Sequence, residues 1–171
     1  YIFYADADLL MVDTVGDEIL GEGLTGAQHP MYAFRKGFKF PLEPNPISQA
    51  YIPVPKYYYA GGFQGGEAEI FIDAMGVMKR MIDKDFTNNY VPIWNEESIF
   101  NRYIFDHPEI PIITLDPSYV YPDSLIKEYY EPIWGRSYIP KLITLTKKFT
   151  TTKEGGEAIR EQLSTLQGLK P

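Results

Sequence analysis

Tyr1-Ile2-Phe3-Tyr4-Ala5-Asp6-Ala7-Asp8 is the stretch that decides the fold class. An aromatic and aliphatic run ends on two aspartates spaced i, i+2, and the apolar Leu9-Leu10-Met11-Val12 follows. A short β-prone run closed by acids reads as a buried strand carrying carboxylates out of its carboxyl end. Open α/β sheets place their ligands in the crevice at the carboxyl ends of strands. Hard oxygen ligands at this spacing suit Mn²⁺ or Mg²⁺ holding a phosphorylated substrate. The plain alternative is a pair of solvated acids.

The remainder of the 171 residues narrows the choice. With 44% hydrophobic and 23% charged residues, the composition is that of a globular domain with a real core. A formal net charge of −7 and a pI near 4.8 argue against nucleic acid, because no basic patch exists to neutralise phosphates. An acidic protein that holds a nucleotide diphosphate needs a bridging cation, which Asp6 and Asp8 could hold. The absence of cysteine excludes disulfides, thiolate zinc sites and cysteine nucleophiles. No apolar run reaches membrane-spanning length and no signal peptide is visible. Tyr1 already lies inside the first strand, and nucleotide-binding sheets normally carry a βαβ unit ahead of such an acidic loop. The expectation is therefore a single domain over residues 1–171, the carboxy-terminal portion of a longer catalytic domain.

Glycines at 16, 21, 23 and 26 predict an irregular stretch with short extended pieces. Tyr57 to Phe63 reads as a strand broken by the pair Gly61-Gly62. From Glu67 to Lys84, Ile70, Phe71, Ala74, Met75, Met78, Met81 and Ile82 form one apolar stripe, so a helix is expected with its methionines in the core. A second helix is expected from Asn95, as N-cap, to the His107-Pro108 stop. Ile110 to Leu115 reads as a buried strand, Leu142 to Thr146 as a last strand, and Glu157 to Leu166 as a terminal helix. Strands alternating with helices make the class α/β.

Three further segments bear on chemistry. Gly61, Gly62, Gly65 and Gly66 mark either a close approach by a ligand or a bulge. Trp94-Asn95-Glu96-Glu97-Ser98 sits at a helix start. Its acids are either partners of the macrodipole or carboxylates facing a sugar's anomeric carbon, with Trp94 over a hexose face. His29, in a glycine-rich loop, reads as structural or exposed, and His107 as a helix C-cap.

Taken in order, these segments resemble glycosyltransferase family 6, which includes the blood-group transferases, the α-1,3-galactosyltransferases and bacterial relatives. Asp6-Ala7-Asp8 resembles the family's Asp-Val-Asp motif, and Gly16-Asp17-Glu18-Ile19-Leu20 its Gly-Val-Glu-Ile-Leu. Gly26-Ala27-Gln28-His29-Pro30 and Ser48-Gln49-Ala50-Tyr51-Ile52-Pro53 follow. Tyr58 to Gly66 is similar to the donor-specificity strand. Trp94 to Ser98, with Asn101 and Tyr103, resembles Trp-His-Asp-Glu-Ser-x-x-Asn-x-Tyr. Asn95 stands where the family has histidine, Glu96 where it has aspartate, and Pro41 where a threonine can contact the acceptor.

The resemblance implies a GT-A fold, a mixed sheet flanked by helices, lacking here its amino-terminal nucleotide-binding part. It implies retaining transfer of GalNAc or galactose from a UDP-sugar to a galactose-containing acceptor in α-1,3 linkage. By the same resemblance Asp6 and Asp8 bind Mn²⁺, with Mg²⁺ as alternative, and Glu97 acts at the reacting carbon, where it also borders the acceptor. Donor contacts fall to Asp6, Ala7, Asp8, Ala60, Gly61, Gly62, Glu96, Lys147 and Lys153. Acceptor contacts fall to His29, Trp94 and Glu97. The implied location is cytoplasmic or peripheral to the membrane in a bacterium or phage, and the Golgi membrane in an animal. Two rivals remain: a phosphatase of the haloacid-dehalogenase type, whose motif wants Thr or Val where Leu10 stands, and a non-catalytic sugar-binding module.

Overall fold

A computed structural model describes residues 1–33, 40–54, 56–127 and 130–146. The expected helix at Glu157 to Leu166, and Lys147 and Lys153, lie outside these residues. Four strands make the main sheet: β1 (Ile2–Ala5), β3 (Leu24–Gln28), β4 (Tyr59–Gly66) and β5 (Ile112–Leu115), in the order β1-β4-β3-β5. β4 runs antiparallel to both its neighbours, and β3 runs parallel to β5. A smaller sheet, in the order β2-β7-β6, joins β2 (Leu9–Met11), β7 (Leu142–Thr144) and β6 (Tyr121–Pro122). Two helices, α1 (Ala68–Thr87) and α2 (Asn95–Asp106), pack on one face of the main sheet. Strand and helix mixed in this way bear out the α/β class.

Each face of the sheet has its own core. Leu24, Tyr59, Phe71, Ala74, Met78, Ile99, Phe100 and Tyr103 fill the helix side. Ile19, Ala27, Ala60, Phe63, Leu115, Tyr119, Val120 and Leu142 fill the other. Successive residues of a strand point to opposite faces, so Tyr59 and Ala60 enter different cores.

Four sequence expectations need correction. β1 is not buried: Tyr4 is 40% exposed, because β4 is the one strand paired with β1 among the described residues. Met75 is 48% exposed, since α1 turns that part of its stripe away from Ala74 and Met78. Asn95 is not an N-cap; it is the first residue of α2, at φ +48°, and Trp94 occupies the cap position. The open Trp94 N–H is instead taken by Ser98 Oγ at 3.2 Å.

Finally, Gly61-Gly62 does not break β4 but bulges it. Gly26 lies opposite Gln64 and Gln28 opposite Tyr59, so two steps along β3 (28 − 26) face five along β4 (64 − 59). On its other edge β4 stays in regular register, from Ile2 opposite Gly66 to Ala5 opposite Phe63. The expected stop of α2 at His107 holds, its N–H bonding to the Tyr103 carbonyl. The last strand ends at Thr144. No helix of the described residues is long and apolar enough to cross a membrane.

Candidate active site

A bulge leaves backbone groups without ladder partners, and buried backbone groups must find others. Here the β4 bulge collects the site residues. The Gly61 N–H donates to Glu97 Oε2 at 2.8 Å, and the Gly62 carbonyl accepts from the Asp6 N–H at 2.9 Å. One turn along α2, Asn101 serves Tyr59 as a neighbouring strand would. Its Oδ1 accepts from the Tyr59 N–H and its Nδ2 donates to the Tyr59 carbonyl, both at 2.8 Å. Residues i and i+4 share a helix face, so Glu97 and Asn101 together dock α2 onto the irregular part of β4.

Gly61 makes that docking close. A Cβ there would stand 3.1 Å from Glu97 Cβ and 3.3 Å from Glu96 Oε1. Gly62 is roomier, because a Cβ would meet Asp6 Oδ2 at 3.5 Å, Leu9 Cδ1 at 3.7 Å and Val120 Cγ1 at 3.8 Å.

Asp6, Asp8, His29, Ala60, Gly62 and Glu97 all line one open cleft of about 320 Å³, together with Asp123, Ser124 and Thr146. The cleft thus gathers the aspartate pair, the histidine, two of the small β4 residues and the glutamate. Asp6 Oδ1 accepts from the Tyr4 hydroxyl at 2.5 Å, which pushes the Tyr4 phenol up to about 12. Asp8 Oδ1 is buried without a hydrogen-bond partner. A buried, unpartnered carboxylate oxygen is costly unless it meets a cation or a donor. Among the described residues no third histidine, cysteine or acid joins the pair. Such a donor set fits Mn²⁺ or Mg²⁺ bound by two carboxylates and completed by substrate phosphate and water, the usual habit of these ions.

Glu97 is held on both oxygens. The Tyr58 hydroxyl donates to Oε1 at 2.5 Å while Gly61 N–H donates to Oε2. Burial pushes its carboxyl above the usual range, these two donors pull it down, and the Glu96 and Asp6 charges push it up again. His29 is held neutral by burial, which lowers its imidazolium to about 4. Its Nδ1 accepts from the Met31 N–H at 3.2 Å, so the ring proton sits on Nε2.

Other expected site residues lie apart. Trp94 is 46% exposed and does not line the cleft. Glu96 lines a second cavity with Tyr4, Gln64 and Met75, though its Oε1 stays close to Gly61. Ala7 is exposed in the turn between β1 and β2. On the cleft lining the structure adds a clasp: buried Asp123 accepts from both Thr146 N–H at 2.7 Å and Thr146 Oγ1 at 2.6 Å. No local pattern around Asp123 in the sequence signals this, because its partner is 23 residues away.

The chain belongs to glycosyltransferase family 6, whose model matches residues 1–130. The rat "Histo-blood group ABO system transferase 1" is 34% identical over 128 residues, which cover 74% of this chain and 36% of that protein. The "Globoside alpha-1,3-N-acetylgalactosaminyltransferase 1" of chicken is 32% identical over 125 residues, covering 72% and 36%. Its mouse counterpart is 31% identical over 123 residues, covering 71% and 35%. The chain therefore matches about a third of the length of these relatives (36%, 36% and 35%).

Proposed function

We propose that the protein is a GT-A hexosyltransferase that moves GalNAc or galactose from a UDP-sugar to a galactose-containing oligosaccharide, forming an α-1,3 linkage with retention. The observation that carries the reading is that Glu97, half-buried and held on both oxygens, opens onto the same cleft as Asp6 and Asp8. Family membership supports it, as do relatives named for α-1,3-GalNAc transfer and for the ABO system.

Asp6 and Asp8 would hold Mn²⁺ or Mg²⁺. Such a cation, when bound, neutralises charge on the departing UDP, so no side-chain acid is required. Glu97 presents negative charge where positive charge develops on the sugar carbon, either stabilising or attacking it. Neutral His29 offers its Nε2 proton to an acceptor hydroxyl. Ala60, Gly61 and Gly62 leave room beside the donor sugar, with Ala7 and Glu96 as further donor contacts and Trp94 as an acceptor contact. Lys147 and Lys153, which lie outside the described residues, would meet the diphosphate.

The test uses the full-length protein with UDP-GalNAc or UDP-galactose, Mn²⁺ and a galactose-terminated oligosaccharide. The expected product is one sugar heavier and α-1,3-linked by NMR, and chelation abolishes its formation. Absence of product with both donors, together with no Mn²⁺-dependent binding of UDP, overturns the proposal.

A further inference from the structure

Tyr58 is one of the two donors that hold Glu97, and at 2.5 Å its hydrogen bond is shorter than that of Gly61. The residue is 3% exposed, which shields its bond to Glu97 from water. Three other rings hold it: Phe40 lies parallel to it at 6.1 Å, and His29 and Tyr32 stand edge-on at 5.7 and 5.5 Å. Its own carbonyl accepts from the His29 N–H at 3.2 Å, which ties the ring's position to the end of β3. Aromatic packing of this kind fixes a ring without a polar partner on its edge. The hydroxyl is therefore delivered to Glu97 Oε1 from a rigid wall, opposite the Gly61 N–H on Oε2.

We propose that Tyr58 is the positioning residue for Glu97: hydroxyl and bulge amide each take one oxygen, so the carboxylate has a single orientation toward the cleft. A glutamate side chain otherwise turns about three bonds, and its last torsion is soft. One donor alone leaves that last torsion free, whereas two donors on opposite oxygens close it. Helix α2 sets where Glu97 begins, through Asn101, whereas among the described residues Tyr58 and Gly61 set where its oxygens end. This rests on the transferase reading, and on Glu97 acting at the sugar carbon.

Tyr58→Phe keeps the ring and its packing and removes the hydroxyl alone. In the full-length protein kcat is expected to fall about 10- to 100-fold, the usual effect of a loosened reacting group, with donor KM within about twofold. In a Glu97→Gln background the same substitution is expected to change kcat by less than about twofold, because residues acting as a unit are not additive. An equal loss in both backgrounds would show that Tyr58 acts on the fold and not through Glu97, and overturns the proposal. Unchanged kcat in the single variant does the same. A crystal structure of Tyr58→Phe reads the claim without any activity. It is expected to show Glu97 in more than one orientation, and an unmoved Glu97 carboxylate overturns the positioning role whether or not sugar transfer is found. Failure of the transferase reading appears separately, as a wild-type protein with no product.

Discussion

At the residue scale, the site turns on what two glycines and two acids leave open. If Asp8 holds the proposed cation, Asp8→Asn removes a ligand charge but keeps the shape. Its loss is then expected to cost about 3 kcal/mol or more of transition-state stabilisation, at least about 100-fold in rate, with an unchanged melting temperature. Initial rates at saturating Mn²⁺ check this. Gly61 and Gly62 are expected to behave differently despite being neighbours. At Gly62 a methyl meets ordinary van der Waals contacts at 3.5 to 3.8 Å, so Gly62→Ala folds normally and occupies space beside Asp6. Overpacking costs about 1–3 kcal/mol. The wild-type protein is expected to prefer UDP-GalNAc over UDP-galactose and this variant to narrow or reverse that preference, as read by competition between the two donors. At Gly61 a methyl stands 3.1 Å from Glu97 Cβ, which requires the first turn of α2 to retreat. Gly61→Ala is expected to lower kcat for both donors alike.

At the element scale, α2 replaces a missing run of strand pairing. β4 bulges away from β3, and side chains of Asn101 and Glu97 take the backbone groups left over. Asn101→Ala leaves the Tyr59 N–H and carbonyl buried without partners, at about 1–3 kcal/mol each. Expected is a loss of at least about 2 kcal/mol in stability, measured from the urea midpoint at constant m. Two buried acids do similar work behind the site. Asp85 accepts from Ser48 Oγ and Gln49 N–H, both at 2.8 Å. Glu43 accepts from the Tyr90 hydroxyl at 2.6 Å and the Ile93 N–H at 2.8 Å, fixing the approach to α2. The segment resembling Ser-Gln-Ala-Tyr-Ile-Pro is thus a structural clamp in this molecule, not part of the cleft.

At the scale of the whole molecule, charge and acid sensitivity follow from the same groups. A net charge of −7 opposes the approach of a nucleotide diphosphate, so UDP binding is expected to require a divalent cation and to vanish on chelation, which calorimetry reads directly. Stability is expected to fall with acid. His29, lowered to about 4 by burial, refuses a proton that the unfolded chain takes up below about 6.5. Its contribution is complete above that value and is lost as the pH falls toward 4. Glu18, lowered to about 2 by bonds from Lys141 and Tyr119, has its contribution above its unfolded value of 4.5 and loses it as the pH falls toward 2. His29→Gln is expected to flatten the stability profile between pH 6.5 and 4 and leave the steeper acid limb, as seen in urea titrations at stepped pH.

Local chemistry determined much by itself. The strand ending just before Asp6, the apolar period of α1, the stop at His107 and the ordered motifs that identify the family are properties of neighbouring residues, so they are legible without a fold. Tertiary structure decided the rest. Whether the β1 strand is covered depends on which strands pair with it, and whether Gly61-Gly62 breaks or bulges β4 depends on the register of β3. Tyr57, Tyr58 and Tyr59 are alike in sequence, but one is exposed, one holds Glu97 and one fills the core. Glu96 and Glu97 are adjacent on one helix turn, yet only Glu97 lines the cleft with the aspartate pair. A helix rotates successive side chains by about 100°, and only the surface it packs against determines which one is buried.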